Sequence, residues 1–239
     1  MTDIDCALDL RVGPTVIRES PLFRDWVTRN ERSGARVERV EVRSAVIEPT
    51  TSAITQLDLQ ATVRDPEGHT KQDSFTLRSD TVDVVALLRD EKDQLHCVFV
   101  KQYRLAVGAY VISNVAGGIE PGETPEQAAQ REVREEVRRR LPWGLPQPLN
   151  RWCCGAPGPF HVSPGSTSEN VHYLAIQAQA TRAEIEALHG ATAGLVAEGE
   201  HITVHVVPAA EALTHLSSSG RVDGKAIQGL ELARLAGLL

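Results

Sequence analysis

The segment from Gly117 to Glu136 reads GGIEPGETPEQAAQREVREE, and it places three carboxylates where one divalent cation could meet them. Glu132 and Glu136 stand four residues apart, so on a helix they project from one face, and Glu135 lies beside them three residues after Glu132. Acids so crowded repel one another, and Arg131 and Arg134 offset part of that repulsion. A solvated charged face is the plain alternative, because most helices rich in Glu and Arg are no more than that. The glycines ahead of the helix weigh toward chemistry. Gly117, Gly118 and Gly122 let the backbone pass close to the helix and present carbonyl oxygens to the carboxylates. Hard oxygen donors in a cluster suit Mg2+ or Mn2+.

The elements that must position these groups follow from local signals. Thr124 is a helix N-cap with Pro125 at the first helical position, and Glu126 and Gln127 fall in the first turn, where free N–H groups favour acceptors and negative charge. Upstream, TVDVVALL from Thr81 reads as a buried strand, Arg89 to Asp93 as a turn, and Leu95 to about Tyr103 as a second strand. A loop through Gly108 and a strand near Tyr110 to Asn114 then lead into the glycine turn. Further strands are expected at Val171 to Ala178 and Ile202 to Val207, and two C-terminal helices are separated by Ser217 to Gly220 and Asp223-Gly224. The first eighty residues form a separate pattern. Ser20-Pro21 opens a short helix with Leu22, Phe23, Trp26 and Val27 on one face, and Leu57, Leu59, Ala61 and Val63 alternate up to a turn at Asp65-Pro66-Glu67-Gly68. Strands and helices in this order predict a sheet flanked by helices behind a small antiparallel unit.

Composition narrows the function. A chain of 239 residues can bury a core without disulfides, and Cys6, Cys97, Cys153 and Cys154 show no repeated spacing, so reduced thiols are expected. A net charge of -7 argues against a nucleic-acid polymer and favours a small ligand met by a local positive site. The start MTDIDCALDLRV carries acids where a secretory leader carries a basic region, and no apolar run approaches a membrane span. A soluble, cytoplasmic protein without a membrane partner is expected.

The Gly117–Glu136 segment resembles the Nudix box, G-x5-E-x7-R-E-U-x-E-E-x-G-U with U aliphatic: Gly117, Glu123, Arg131, Glu132, Val133, Glu135 and Glu136 fall in register. The chain departs from it at Arg138 and Arg139, where the signature has a glycine and an aliphatic residue; that departure lets the helix run on toward Leu141-Pro142. The resemblance implies an α+β fold, an α/β/α sandwich with a mixed sheet over residues 81–239. It also implies a small N-terminal β-rich unit over residues 1–80 that serves dimerisation and substrate contacts. It implies Mg2+ or Mn2+ held by Glu132, Glu136 and the carbonyl of Ala116, with Glu135 in support. Gly117, Glu123 and Arg131 would be structural, the last two as a charge pair from loop to helix.

Two flanking runs resemble one branch of that family, the ADP-ribose and nucleoside-diphosphate-sugar pyrophosphatases. VKQYRLAVGAYVISNVAGGIEPGE carries Arg104 where the branch has an arginine facing substrate, and SPGSTSENVHYLAI carries Ser166, Thr167 and Glu169 on a loop over the metals. The branch implies Mg2+-dependent hydrolysis of a nucleoside diphosphate sugar to a nucleoside monophosphate and a sugar phosphate, with Glu169 as general base, in a homodimer. Asn114 and Val115 stand where the branch often has Glu and Pro, which puts a pocket wall or dimer contact in question. Alternatives stay open. Arg104 could lie over apolar surface, and Glu169 could be an ordinary loop acid. The substrate could be NADH or GDP-mannose, or the chain could be a sensor that binds ADP-ribose without cleaving it.

Overall fold

A computed structural model describes residues 2–6, 12–48, 52–137, 141–149, 159–195 and 200–239. The chain divides into two compact units, Met1–Ser79 with His161–Asn170, and Asp80–Phe160 with Val171–Leu239.

The first unit holds β1 (Asp3–Cys6), α1 (Pro14–Glu19), α2 (Pro21–Arg32), β2 (Arg36–Ile47), β3 (Ile54–Arg64) and β4 (Thr70–Arg78) in a sheet of order β1-β2-β3-β4. Helix α2 starts where the Ser-Pro signal predicts: the Ser20 hydroxyl accepts a 3.3 Å hydrogen bond from the Phe23 amide, and Pro21 fills a position whose N–H would lack a partner. Phe23 and Trp26 are the face it buries, with Trp26 also 5.6 Å from Phe75 between ring centroids. Against them the alternation in β3 puts Leu57, Leu59 and Ala61 into the core, with Val63 partly covered at the strand end. Gly68, at φ +89°, closes the turn into β4. The short helix α1, which no period in the sequence announces, adds Ile17 to the same core.

The second unit contains β5 (Thr81–Arg89), β6 (Leu95–Arg104), β7 (Ala109–Ser113), β8 (Val115–Gly118), α3 (Pro125–Val137), β9 (Gln147–Pro148), β10 (Phe160–His161), β11 (Asn170–Gln179), α4 (Arg182–Leu188), β12 (Thr192–Ala193), β13 (Ile202–Pro208), α5 (Ala212–Ser218) and α6 (Gly224–Leu235). Its sheet runs β10-β11-β5-β6-β13-β12, with β7 on β6, β8 on β5 and β9 on β11. β11 and β5 are parallel and β5, β6 and β13 antiparallel, so the sheet is mixed as expected. β5 shows why its sequence is apolar almost throughout. Val82, Val84, Ala86 and Leu88 face the core that holds the α3 residues Ala128, Ala129, Val133 and Val137, whereas Val85 and Leu87 face the core built with α5 and α6. Both faces are covered by helices, which gives the α/β/α sandwich of an α+β fold.

Arg138, Arg139, Cys153 and Cys154 lie outside the described residues; Cys6 and Cys97 are free thiols. By Leu141 the chain is no longer helical. Among the described residues no helix is long and apolar enough to cross a membrane.

Candidate active site

Helix α3 is anchored at its start by a reciprocal cap: the Gln127 amide donates to the Thr124 hydroxyl at 3.3 Å, and the Thr124 amide donates to the Gln127 side chain at 2.8 Å. Its apolar side is fixed on β5, so Glu132 and Glu136 are carried to the end of β8. Both are buried, at 8% and 3% exposure, a position that carboxylates take only with partners or ligands. The Ala116 amide donates to Oε2 of Glu136 at 3.1 Å. Glu132 comes so close to the strand that a Cβ on Gly117 would overlap its carboxylate.

Arg131 organises the rest. Its Nε and Nη2 each donate to Glu123 at 3.0 Å, Nη2 also donates to the Gly118 carbonyl at 2.7 Å, and Nη1 donates to Glu132 at 2.7 Å and to Glu135 at 3.3 Å. Such a planar five-donor fork can hold loop, helix and acid together; a lysine cannot. Burial alone pushes Glu123 up, but the Arg131 fork outweighs it and holds that carboxyl below its usual value. Burial pushes Glu132 up to about 7, against the pull of Arg131 and with help from Glu135 and Glu200. Burial, then the charge of Glu132, hold Glu136 well above the ordinary range, against the Ala116 hydrogen bond; Glu200 adds to the rise, and Arg104 opposes it.

Glu200 is the residue that sequence reasoning missed. It precedes β13, and its carboxylate accepts a 3.2 Å hydrogen bond from the Leu195 amide, while the neighbouring Gly194 amide reaches the Glu135 carbonyl at 3.4 Å. No spacing rule links Glu200 to a helix some sixty residues earlier. The one available signal is that an acid two residues before a buried strand lies at a sheet end.

Arg104, at the exposed end of β6, is near enough for its charge to reach Glu136. Ser166, Thr167 and Glu169 belong to the first unit. Ser166 Oγ lies 2.6 Å from Ser163 Oγ, Thr167 pairs with Thr76 of β4, and the buried Glu169 carboxylate is 3.6 Å from Arg78. Asn114 and Val115 are buried at 1% and 0% in the second unit. Within this core the Asn114 side chain bonds to another side chain.

Among the described residues no three His, Cys, Asp or Glu side chains converge tightly enough to hold an ion between them. The glutamates are turned to the positive partners on hand, Arg131 and the Ala116 amide. The donor chemistry nonetheless fits a hard divalent cation: Glu132 and Glu136 are oxygen donors whose charge is poorly solvated, and Glu135 and Glu200 add to the same field.

The family model for the NUDIX domain matches residues 79–226, more than half of the chain, and the protein belongs to the Nudix family. Among curated relatives, the ADP-sugar pyrophosphatase of Mus musculus is 36% identical over 85 residues, covering 33% of this chain and 39% of that protein. The ADP-ribose pyrophosphatase of Haemophilus influenzae is 32% identical over 127 residues, covering 53% and 51%. The matched stretches thus span about two fifths and about half of the length of those relatives. A solved structure described as an ADP compounds hydrolase superposes with a TM-score of 0.54 at 18% identity, over 85% of this chain and 95% of its own, which shows the shared fold.

Proposed function

We propose that this protein hydrolyses the diphosphate of an ADP-ribose-like nucleoside diphosphate sugar, with Mg2+ or Mn2+, to a nucleoside monophosphate and a sugar phosphate. The observation that carries the reading is the pair of buried glutamates, Glu132 and Glu136, held on one face of α3 against the Ala116–Gly117 strand. Uncompensated, such a concentration of negative charge is destabilising; a divalent cation and a diphosphate together turn it to use. The relatives named above, which act on ADP-ribose and ADP-sugars, support the substrate class.

In this reading Glu132, Glu136 and the Ala116 carbonyl hold the cation and Glu135 supports them. When bound, the cation neutralises diphosphate oxygens and makes water a better nucleophile. Arg104 contributes a positive charge at the mouth of the site to orient the anionic substrate. Ser166 and Thr167 offer hydroxyls to it. Glu169 is proposed as the general base that takes the proton of the attacking water, and Glu200 is a second candidate because its charge already acts on Glu132 and Glu136. The working form is proposed to be a cytoplasmic homodimer.

The test is release of nucleoside monophosphate, followed by chromatography, from ADP-ribose, ADP-glucose, GDP-mannose, UDP-glucose and NADH in the presence of Mg2+. Turnover of ADP-ribose or another ADP-sugar is expected, with a loss of at least about 100-fold in Glu136→Gln at unchanged fold. Tight ADP-ribose binding without turnover of any substrate would favour a sensor, and preference for NADH or GDP-mannose would move the substrate within the family. Glu169→Gln and Glu200→Gln identify the base, which is the one whose loss removes the basic arm of the pH–rate profile.

A further inference from the structure

The chain makes one lateral move that the catalytic reading leaves unexplained. β7 pairs with β6, Ser113 opposite Val100, whereas β8 pairs with β5, Val115 opposite Val84. Asn114 is therefore the single residue at which the backbone leaves one strand partner for another, two residues before Ala116. Its side chain is buried, and Nδ2 donates a 2.6 Å hydrogen bond to Oδ1 of Asp83, which is 1% exposed. Asp83 is also the β5 residue whose register partner is Ala116. One side-chain bond thus ties the crossing residue to the strand position opposite the amide that holds Glu136.

An acid and an amide side by side are a poor way to fill a core. An apolar pair of similar volume avoids the desolvation, which here pushes the Asp83 carboxyl up to about 7 even against the hydrogen bond from Asn114. Asp83 Oδ2 and Asn114 Oδ1 find no hydrogen-bond partner among the described residues, so the burial is not recovered elsewhere. Helix α6 closes directly on the pair: a Cβ on Gly229 would lie 2.7 Å from Asn114 Nδ2 and 2.9 Å from Asp83 Oδ1. What such a bond provides and apolar packing does not is a single geometry, because a buried donor must meet its acceptor or remain unsatisfied.

We infer that Asn114 and Asp83 are positioning residues, whose hydrogen bond fixes the point where the chain crosses from β6 to β5 and thereby sets Ala116 and Gly117 beneath Glu136 and Glu132. The inference rests on the reading of Glu132 and Glu136 as the catalytic acids.

The test compares Asn114→Leu, the reciprocal swap Asp83→Asn with Asn114→Asp, and Glu136→Gln. Each is assayed for kcat and KM on ADP-ribose with Mg2+ and for amide hydrogen exchange in residues 114–118. Asn114→Leu is expected to lower kcat by about tenfold or more while KM moves less than about threefold, since small displacements at a catalytic turn act on the chemical step. Its 114–118 amides are expected to exchange about tenfold faster than in the wild type. The swap keeps one amide against one carboxyl and is expected to restore both readouts to within about threefold. Wild-type kcat and exchange in Asn114→Leu, beside an inactive Glu136→Gln, would overturn the clamp and leave the function standing. An active Glu136→Gln would overturn the function, and amide exchange alone would then decide the clamp. Should Asn114→Leu fail to fold, the swap decides: a folded swap with low kcat and fast exchange overturns the inference, and one with both restored supports it.

Discussion

A Cβ built on Gly117 would lie 1.8 Å from Oε1 of Glu132 and 2.0 Å from its Cδ. The glycine is thus required by close approach rather than by a left-handed backbone, since Gly117 is not among the positive-φ residues. Gly117→Ala is expected to fold, because a side chain can rotate away where a backbone cannot, but to drive the Glu132 carboxylate out of its place. A fall in kcat of about tenfold to 100-fold is expected in the ADP-ribose assay, together with a higher Mg2+ requirement. Unchanged kinetics would show that Glu132 is not needed where it lies.

Arg131 bonds to Glu123, Glu132, Glu135 and the Gly118 carbonyl at once. Arg131→Lys keeps the charge and loses the fork, so most of these acceptors lose their donor. Thermal unfolding is expected to report a destabilisation of about 2 kcal/mol, a fall in Tm of several degrees. Arg131→Lys with wild-type Tm would mean that the loop and helix are joined by other contacts.

How far the sequence reaches can be seen residue by residue. Helix α3 was legible because its cap and its acids repeat on a local period, and β3 because one face is buried and the other is not. The same rules do not single out Asp83, which lies in TVDVVALL among apolar neighbours; an acid in a strand covered on both faces is itself the signal. Helix α4 opens on a Thr181–Glu184 capping box that the spacing contains, yet with only two apolar residues buried its period is too short to stand out. Glu200 and the Thr76–Thr167 pairing depend on which distant segments meet, and no local rule reports that.

Asp83 has a consequence for pH. The folded protein holds its proton up to about 7, whereas an unfolded chain releases it near 3.8. Between those values the folded state binds more protons, so stability falls as pH rises across this window, and the deficit is complete above about 7. Its size is on the order of 4 kcal/mol. Asp83→Asn keeps an acceptor for Asn114 and is expected to flatten this part of the curve in denaturant titrations from pH 4 to 8. A slope equal to that of the wild type would show that Asp83 is ionised in the fold.

Two imidazoles, His205 and His215, give a contribution of opposite sign. The His205 ring lies 5.6 Å from that of His189 and 5.8 Å from that of His215. Burial first, then His189, His215 and Lys101, hold His205 below its usual 6.5; burial and His189 do the same for His215. A base with a depressed value contributes stability that is present above about 6.5 and is lost as pH falls below it. His205→Gln is expected to show a smaller drop in Tm between pH 7.5 and 5.5 than the wild type. An equal drop would assign the acid sensitivity to other groups.

Residues 161–170 are strapped to β4 by Thr76 N to Ser166 O at 3.0 Å, Ser168 N to Thr76 O at 2.9 Å and Arg78 N to Ser168 Oγ at 3.1 Å. The polypeptide therefore enters its first unit twice, and that unit has no single boundary in the gene. A cut after Ser79 would free an N-terminal fragment whose β4 lacks the strap, and would leave in the remainder a loop that still carries Glu169 but has lost the strand that orders it. Exchanging this unit for that of a relative requires moving both stretches together, because the loop and the strand behave as one inherited piece.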